Sequence, residues 1–317
     1  MITSVKKGGI SALLGAIVLI GLLGTLPVLG YLAHPSNITL FKADWIKLTV
    51  PFILIVVQGI WFLRVIHQSR FFEMWSLWPW VIYVIIAFAL PHQLWSWDTL
   101  LLNFIWLIFY QRLFYHHDEV TSNAQVFMDM GILLSIGVFV YPKSIYLLPF
   151  LFVLLNQFTA SDLNKLYIVL VSFFMVAFSV LGIGYFFISP EWVIQIPHKM
   201  MVSFDVEALL EPGLLYTYIA LFAVVTILIP VIYNQLSFMQ TKNRAVVNML
   251  FLQIISVVII AIISGDGAGK SMQMALLPLA FIVSFGSYHI KKRWLANLCI
   301  LFAVFAVILI QWVYLDH

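Results

Sequence analysis

Asp44, Asp98 and His198 are the side chains whose types best suit acid–base work or the holding of a divalent ion. The carboxylates close HPSNITLFKADW and PHQLWSWD, and the imidazole is followed at once by the ammonium of Lys199 in WVIQIPHKMM. Carboxylates gathered at one rim can bind a divalent cation or act as base for a hydroxyl acceptor. Lys47 and Lys199 suit a pyrophosphate. On this reading Asp44, Asp98 and His198 are catalytic, and Lys47 and Lys199 bind substrate. The plainer alternative is that these charges only solvate loops.

A second constellation is structural. Asp129, in AQVFMDMGILLSIGVFV, is the one carboxylate inside a long apolar run. An ionised carboxylate at depth costs on the order of 3 kcal/mol on insertion scales unless it is paired or wet. Arg112, closing FIWLIFYQRLFYHH, is its natural partner, and an ion pair locking two helices accounts for both. An anion or proton site on that side is the alternative.

Other motifs carry less. SGDGAGKS, Ser264 to Ser271, looks like a phosphate-binding loop, but Ser264 stands where the pattern needs Gly and no strand precedes it, so a flexible turn is the expectation. None of the eight histidines lies deep in an apolar run, so no intramembrane metal or haem site is expected. The lone Cys299 excludes an intramolecular disulfide.

The elements that must position these residues are oily. Hydrophobic residues make up 63% of 317, charged ones 9%, and mean hydropathy is +1.06, which leaves too little polar surface for a soluble globule. About eleven apolar runs, near 10–33, 46–66, 76–90, 99–114, 125–141, 144–158, 166–188, 214–236, 245–264, 272–289 and 295–314, predict an all-α polytopic transmembrane helix bundle. No linker divides the chain, so 1–317 reads as one membrane domain, with the lipid bilayer as its first partner and no nucleic acid expected. The fifth and sixth runs, joined by Pro142, Lys143 and Ser144, fit either two spans or one re-entrant hairpin. The gap at 189–213 reads as a segment along the outer interface.

Positive charge sets the orientation. With a cytoplasmic N-terminus the inner gaps hold Lys6, Lys7, Arg64, Arg70, Arg112, Lys165, Lys242, Arg244, Lys291, Lys292 and Arg293, against Lys42, Lys47, Lys143, Lys199 and Lys270 outside: eleven against five, sixteen in all. The C-terminal His317 then lies outside, which for a bacterial inner-membrane protein is the periplasm.

The stretch from Leu102 to Leu155, with Asn103 and Phe104, Arg112, Asp129 and Gly131, and the turn at Tyr141 and Pro142, resembles an uncharacterised family of polytopic inner-membrane proteins from Bacteroidota, as does MQMALLPLAFIVSFGSYHIKKRWLANL. The same stretch is similar to the middle of GT-C type glycosyltransferases and lipid-linked saccharide polymerases. That resemblance implies envelope biogenesis, with transfer or polymerisation of a polyprenyl-phosphate-linked sugar at the outer face and Asp44 as base or ligand to a divalent cation. The chain departs from those enzymes in its short outer loops and in having a lone acid in the first. A non-enzymatic membrane-complex subunit, or a transporter, working with other membrane proteins, is the alternative.

Overall fold

The computed structural model describes residues 44–68, 76–89, 97–115, 124–149, 163–201, 212–239, 241–263 and 273–290, together with position 17. Among these residues every regular element is a helix and no strand occurs. In chain order they are α1 (Asp44–Gln68), α2 (Trp78–Ala89), α3 (Trp97–Tyr115), α4 (Ala124–Val140), a 3-10 segment Pro142–Leu147, α5 (Leu163–Phe187), α6 (Pro190–Met200), α7 (Pro212–Leu236), α8 (Thr241–Ile263), a 3-10 turn Gln273–Ala275 and α9 (Leu276–His289).

Among the described residues, three stretches are long and apolar enough to cross a membrane: Val50–Gln68, Leu163–Phe187 and Arg244–Ala261. Trp78–Phe88 and Ala124–Val140 are shorter apolar helices, and Phe222–Leu236 is the apolar C-terminal part of the 25-residue α7. The runs expected at 10–33 and 295–314 lie outside the described residues, as do SGDGAGKS, Cys299 and most of 144–158.

Local chemistry fixes the element ends. Tyr141 precedes Pro142, whose ring disfavours helical backbone before it. Tyr141 accordingly sits extended at φ −135° and ψ 96°, and α4 stops. At α6, the Ser189 hydroxyl accepts from the Trp192 amide at 3.1 Å, Pro190 supplies a preset φ, and Glu191 in the first turn with His198 and Lys199 in the last complement the helix dipole. The turn between α7 and α8 is held by Arg244, which donates to the carbonyls of Ser237 and Met239, each at 3.0 Å.

Pairs of contacts give the helix directions. His67 reaches the Ser76 backbone at 2.9 Å while Phe52 stacks on Phe88, so α1 and α2 are antiparallel. Gln58 Nε2 donates to the Leu100 carbonyl at 2.6 Å and Trp61 packs on Phe104, so α3 runs with α1. Gly137 lies against Leu102 and Arg112 against Asp129, so α4 returns. Lys165 sits over the Phe127 ring while Gly131 meets Val169 and Ser172, so α5 runs parallel to α4. Parallel neighbours require the chain between them to travel back along their length. The segment after Val140 begins that return: Ser144 and Leu148 line a cavity with Trp106 and Phe109 of α3. α9 closes the bundle, with Phe281 beside Phe114 and Ser287 accepting from Trp78 Nε1 at 2.6 Å.

Burial is uneven. α2 and α9 are enclosed almost entirely, whereas only 17% of α5 is buried, leaving Phe174, Met175, Phe178, Phe186 and Phe187 exposed. A face that apolar is stable only against lipid or another protein.

At Gly131 α4 lies close against the backbone of α5. A Cβ there would strike the Val169 carbonyl and the Ser172 hydroxyl, whereas at Gly182 it would meet no atom within 4 Å. Gly131→Val is expected to cost about 1–3 kcal/mol, read as a lower thermal unfolding midpoint in detergent, while Gly182→Ala changes stability by less than about 0.5 kcal/mol.

Candidate functional site

The helix directions sort the described charges to two ends. α3 begins at one end with Asp98, half-buried in its first turn. α4 and α5 finish there, and α6 follows, its Met200 carbonyl accepting from the hydroxyl of Tyr146 in the 3-10 segment. His198 and Lys199, in the last turn of α6, are exposed. The fold thus carries Asp98, His198 and Lys199 to one end of the bundle.

Asp44 and Lys47 lie in the first turns of α1 at the same end, but further out. Gln58 is level with Leu100, so position 44 stands fourteen residues before that level and Asp98 two, a difference of about 18 Å at 1.5 Å per residue. A shared cation needs carboxylate oxygens within about 2.6 Å of it. The helix register therefore does not bring Asp44 to Asp98. Among the described residues no three or more His, Cys, Asp or Glu side chains group as a metal site. Asp205, Glu207 and Glu211 lie outside the described residues.

The opposite end holds Arg64, His67, Arg112, Asp129, Lys165 and Arg244. Arg112 Nε stands 3.5 Å from Asp129 Oδ2, with the side chains 46% and 26% exposed. One contact from Nε in a partly wet setting is a modest tie between α3 and α4 rather than a bidentate clamp.

Sequence reading, which weighed only ionisable groups, missed the interior. Thr99, Asn103, Trp106 and Tyr110 recur at i, i+4, i+7 and i+11 on one face of α3, and all are buried. Thr99 donates to Gln273 Oε1 and Tyr110 to Gln253 Oε1, bracketing a seam of about 16 Å. Between and beside them, both amide atoms of Asn103, Trp106 Nε1, Ser144 Oγ, Ser135 Oγ and the Nε2 atoms of Gln253 and Gln273 are buried with no hydrogen-bond partner among the described residues. Each such group costs about 1–3 kcal/mol, so a native fold keeps this many together only for a reason. Trp106 and Ser144 also line a cavity of about 10 Å³ with Leu102, Ile105, Phe109, Leu133, Leu134, Gly137 and Leu148, roughly the room of one water.

Lys143 departs from expectation. The sequence places it in an outer turn, yet it is 4% exposed. The 3-10 segment folds against α4, α6 and α8 instead of projecting. The polar spacing along α3 was the available signal for the seam, because amide and hydroxyl side chains at helical period inside an apolar run share one face.

In a double-mutant cycle, Arg112→Gln and Asp129→Asn are expected to show a coupling of up to about 1 kcal/mol in unfolding free energy. A coupling of several kcal/mol would mark a desolvated pair instead. No protein-family model matches the chain, and no curated protein or solved structure matches it either.

Proposed function

We propose that this chain is an integral protein of a bacterial inner membrane, serving envelope biogenesis by transfer or polymerisation of a lipid-linked saccharide at the outer face. The observation that carries the reading is the convergence of Asp98, His198 and Lys199 on one end of the bundle, where the short helix α6 adjoins the apolar surface of α5. A polyprenyl chain lying along α5 would bring its pyrophosphate to that end. Asp98 is then the general base for a hydroxyl acceptor, His198 assists and Lys199 holds the pyrophosphate, while Asp44 and Lys47 stand further out on the approach. Among the described residues no carboxylate cage forms, and a divalent cation would arrive as a companion of the substrate's phosphates.

The segregation of charge supports the threading. The end away from Asp98 carries Arg64, Arg112, Lys165 and Arg244, as the cytoplasmic side of a membrane protein does. The N-terminus then lies in the cytoplasm and the C-terminus in the periplasm.

A second reading, a non-enzymatic subunit of a membrane complex, draws on two observations: the distance of Asp44 from Asp98 along the helices, and the large apolar face of α5, which suits a protein neighbour as well as lipid.

In a strain lacking the native copy, Asp98→Asn with His198→Ala is expected to abolish glycan output at normal protein level. Unchanged glycan, with a stoichiometric protein partner in mild detergent, selects the subunit reading. Topology is open to thiol labelling in a Cys299→Ala background. A membrane-impermeant reagent applied to spheroplasts is expected to modify Lys199→Cys directly and Ser237→Cys only after permeabilisation; the reverse pattern inverts the map.

A further inference from the structure

We infer that the buried seam beside α3 is a binding site for a polyhydroxylated ligand, the saccharide part of the substrate. The inference rests on the reading above for the side from which the sugar arrives, but not for the chemistry that holds it. Its groups are neutral and of mixed polarity. Trp106 Nε1 can only donate, the Ser144 hydroxyl donates and accepts, and the amides of Asn103, Gln253 and Gln273 offer either, depending on how each is turned. A ligand hydroxyl, itself donor and acceptor, answers every one of them. An ion does not: no described carboxylate or guanidinium belongs to the seam, and Lys143 already has a partner. Trp106 packs against Phe109 at 5.3 Å and Tyr110 at 6.2 Å, giving flat apolar surface of the kind that covers the C–H faces of a sugar ring beside its hydroxyl contacts.

The present cavity admits one oxygen atom, so a ring enters only when the segment from Pro142 to Leu148 withdraws. That segment is 3-10 helix, with poorer hydrogen-bond geometry than the α-helices around it, and its Ser144 and Leu148 form the cavity wall facing α3. The described packing is then the closed member of a two-state pair, and the ligand shifts the population by binding the open one.

The test is binding to the purified full-length protein in detergent, with no transfer required. Maltose and N-acetylglucosamine are titrated against inorganic pyrophosphate, reading the thermal midpoint and tryptophan fluorescence. Saturable stabilisation by a saccharide is expected, weakened about tenfold in Asn103→Leu by loss of its hydrogen bonds and unchanged in Ser179→Ala on the exposed face of α5. Should Asn103→Leu fail to fold, Trp106→Phe removes the indole N–H while keeping an aromatic ring, and the same weakening is expected. The inference is overturned if neither saccharide binds, if binding is indifferent to Asn103 and Trp106, or if pyrophosphate alone binds in a manner dependent on them. Loss of glycan in the Asp98 variant together with absence of saccharide binding in the wild type would retain the transferase reading and sink this one.

Discussion

A buried peptide group without a hydrogen-bond partner costs as much as a good side-chain contact gains, and in an interior this apolar the backbone has to close its own bonds. That constraint explains why the described chain is helical nearly throughout, and it makes the two departures informative. Pro142–Leu147 and Gln273–Ala275 abandon α-helical bonding, and both do so where protein surrounds them: Ser144, Leu147 and all three residues of the second segment are buried. Irregular backbone at depth is tolerated where protein or a cavity meets it, and here both segments flank the inner face of α3. α3 is thereby the element around which the others are arranged. It takes Gln58 of α1 and Gly137 of α4 along its length, and Gln253 of α8 and Gln273 ahead of α9 together on one face.

Charge and polarity are divided between two places that do different work. Apart from the buried Lys143, the described ionised groups lie toward the ends of the bundle, partly exposed, and so contribute little to stability individually. The interior holds neutral amides, hydroxyls and indoles. Some tie helices together: Gln58 accepts from the Tyr83 hydroxyl at 2.7 Å while donating to Leu100, joining α1, α2 and α3 through one side chain. Others stay partly unpartnered beside the 3-10 segment. On the proposed function, those two places would answer the two needs of the substrate, a charged pyrophosphate at the rim and a neutral sugar among neutral groups.

Residue type and order determined the helical character, the positions of the described helices other than α6 to within a few residues, and the collection of basic residues into alternate gaps, because each follows from properties of a single segment: length, apolarity and the cost of carrying charge into hydrocarbon. The close of α4 at Tyr141 was equally local, since the residue before a proline resists helix. The proximity of Arg112 and Asp129 was legible for a related reason: two costly groups at similar depth on consecutive helices have few other partners.

What only the tertiary structure decided is register between helices and the fate of polar groups that carry no formal charge. Nothing in the order of residues says that Gln58 is level with Leu100, and it is that pairing which leaves Asp44 far along the axis from Asp98. Nor does the sequence say that Lys143, in a turn between apolar runs, folds inward. Those outcomes depend on where small residues such as Gly131 and Gly137 let backbones approach, and a lock between two surfaces is a property of the pair that neither strand of sequence carries alone.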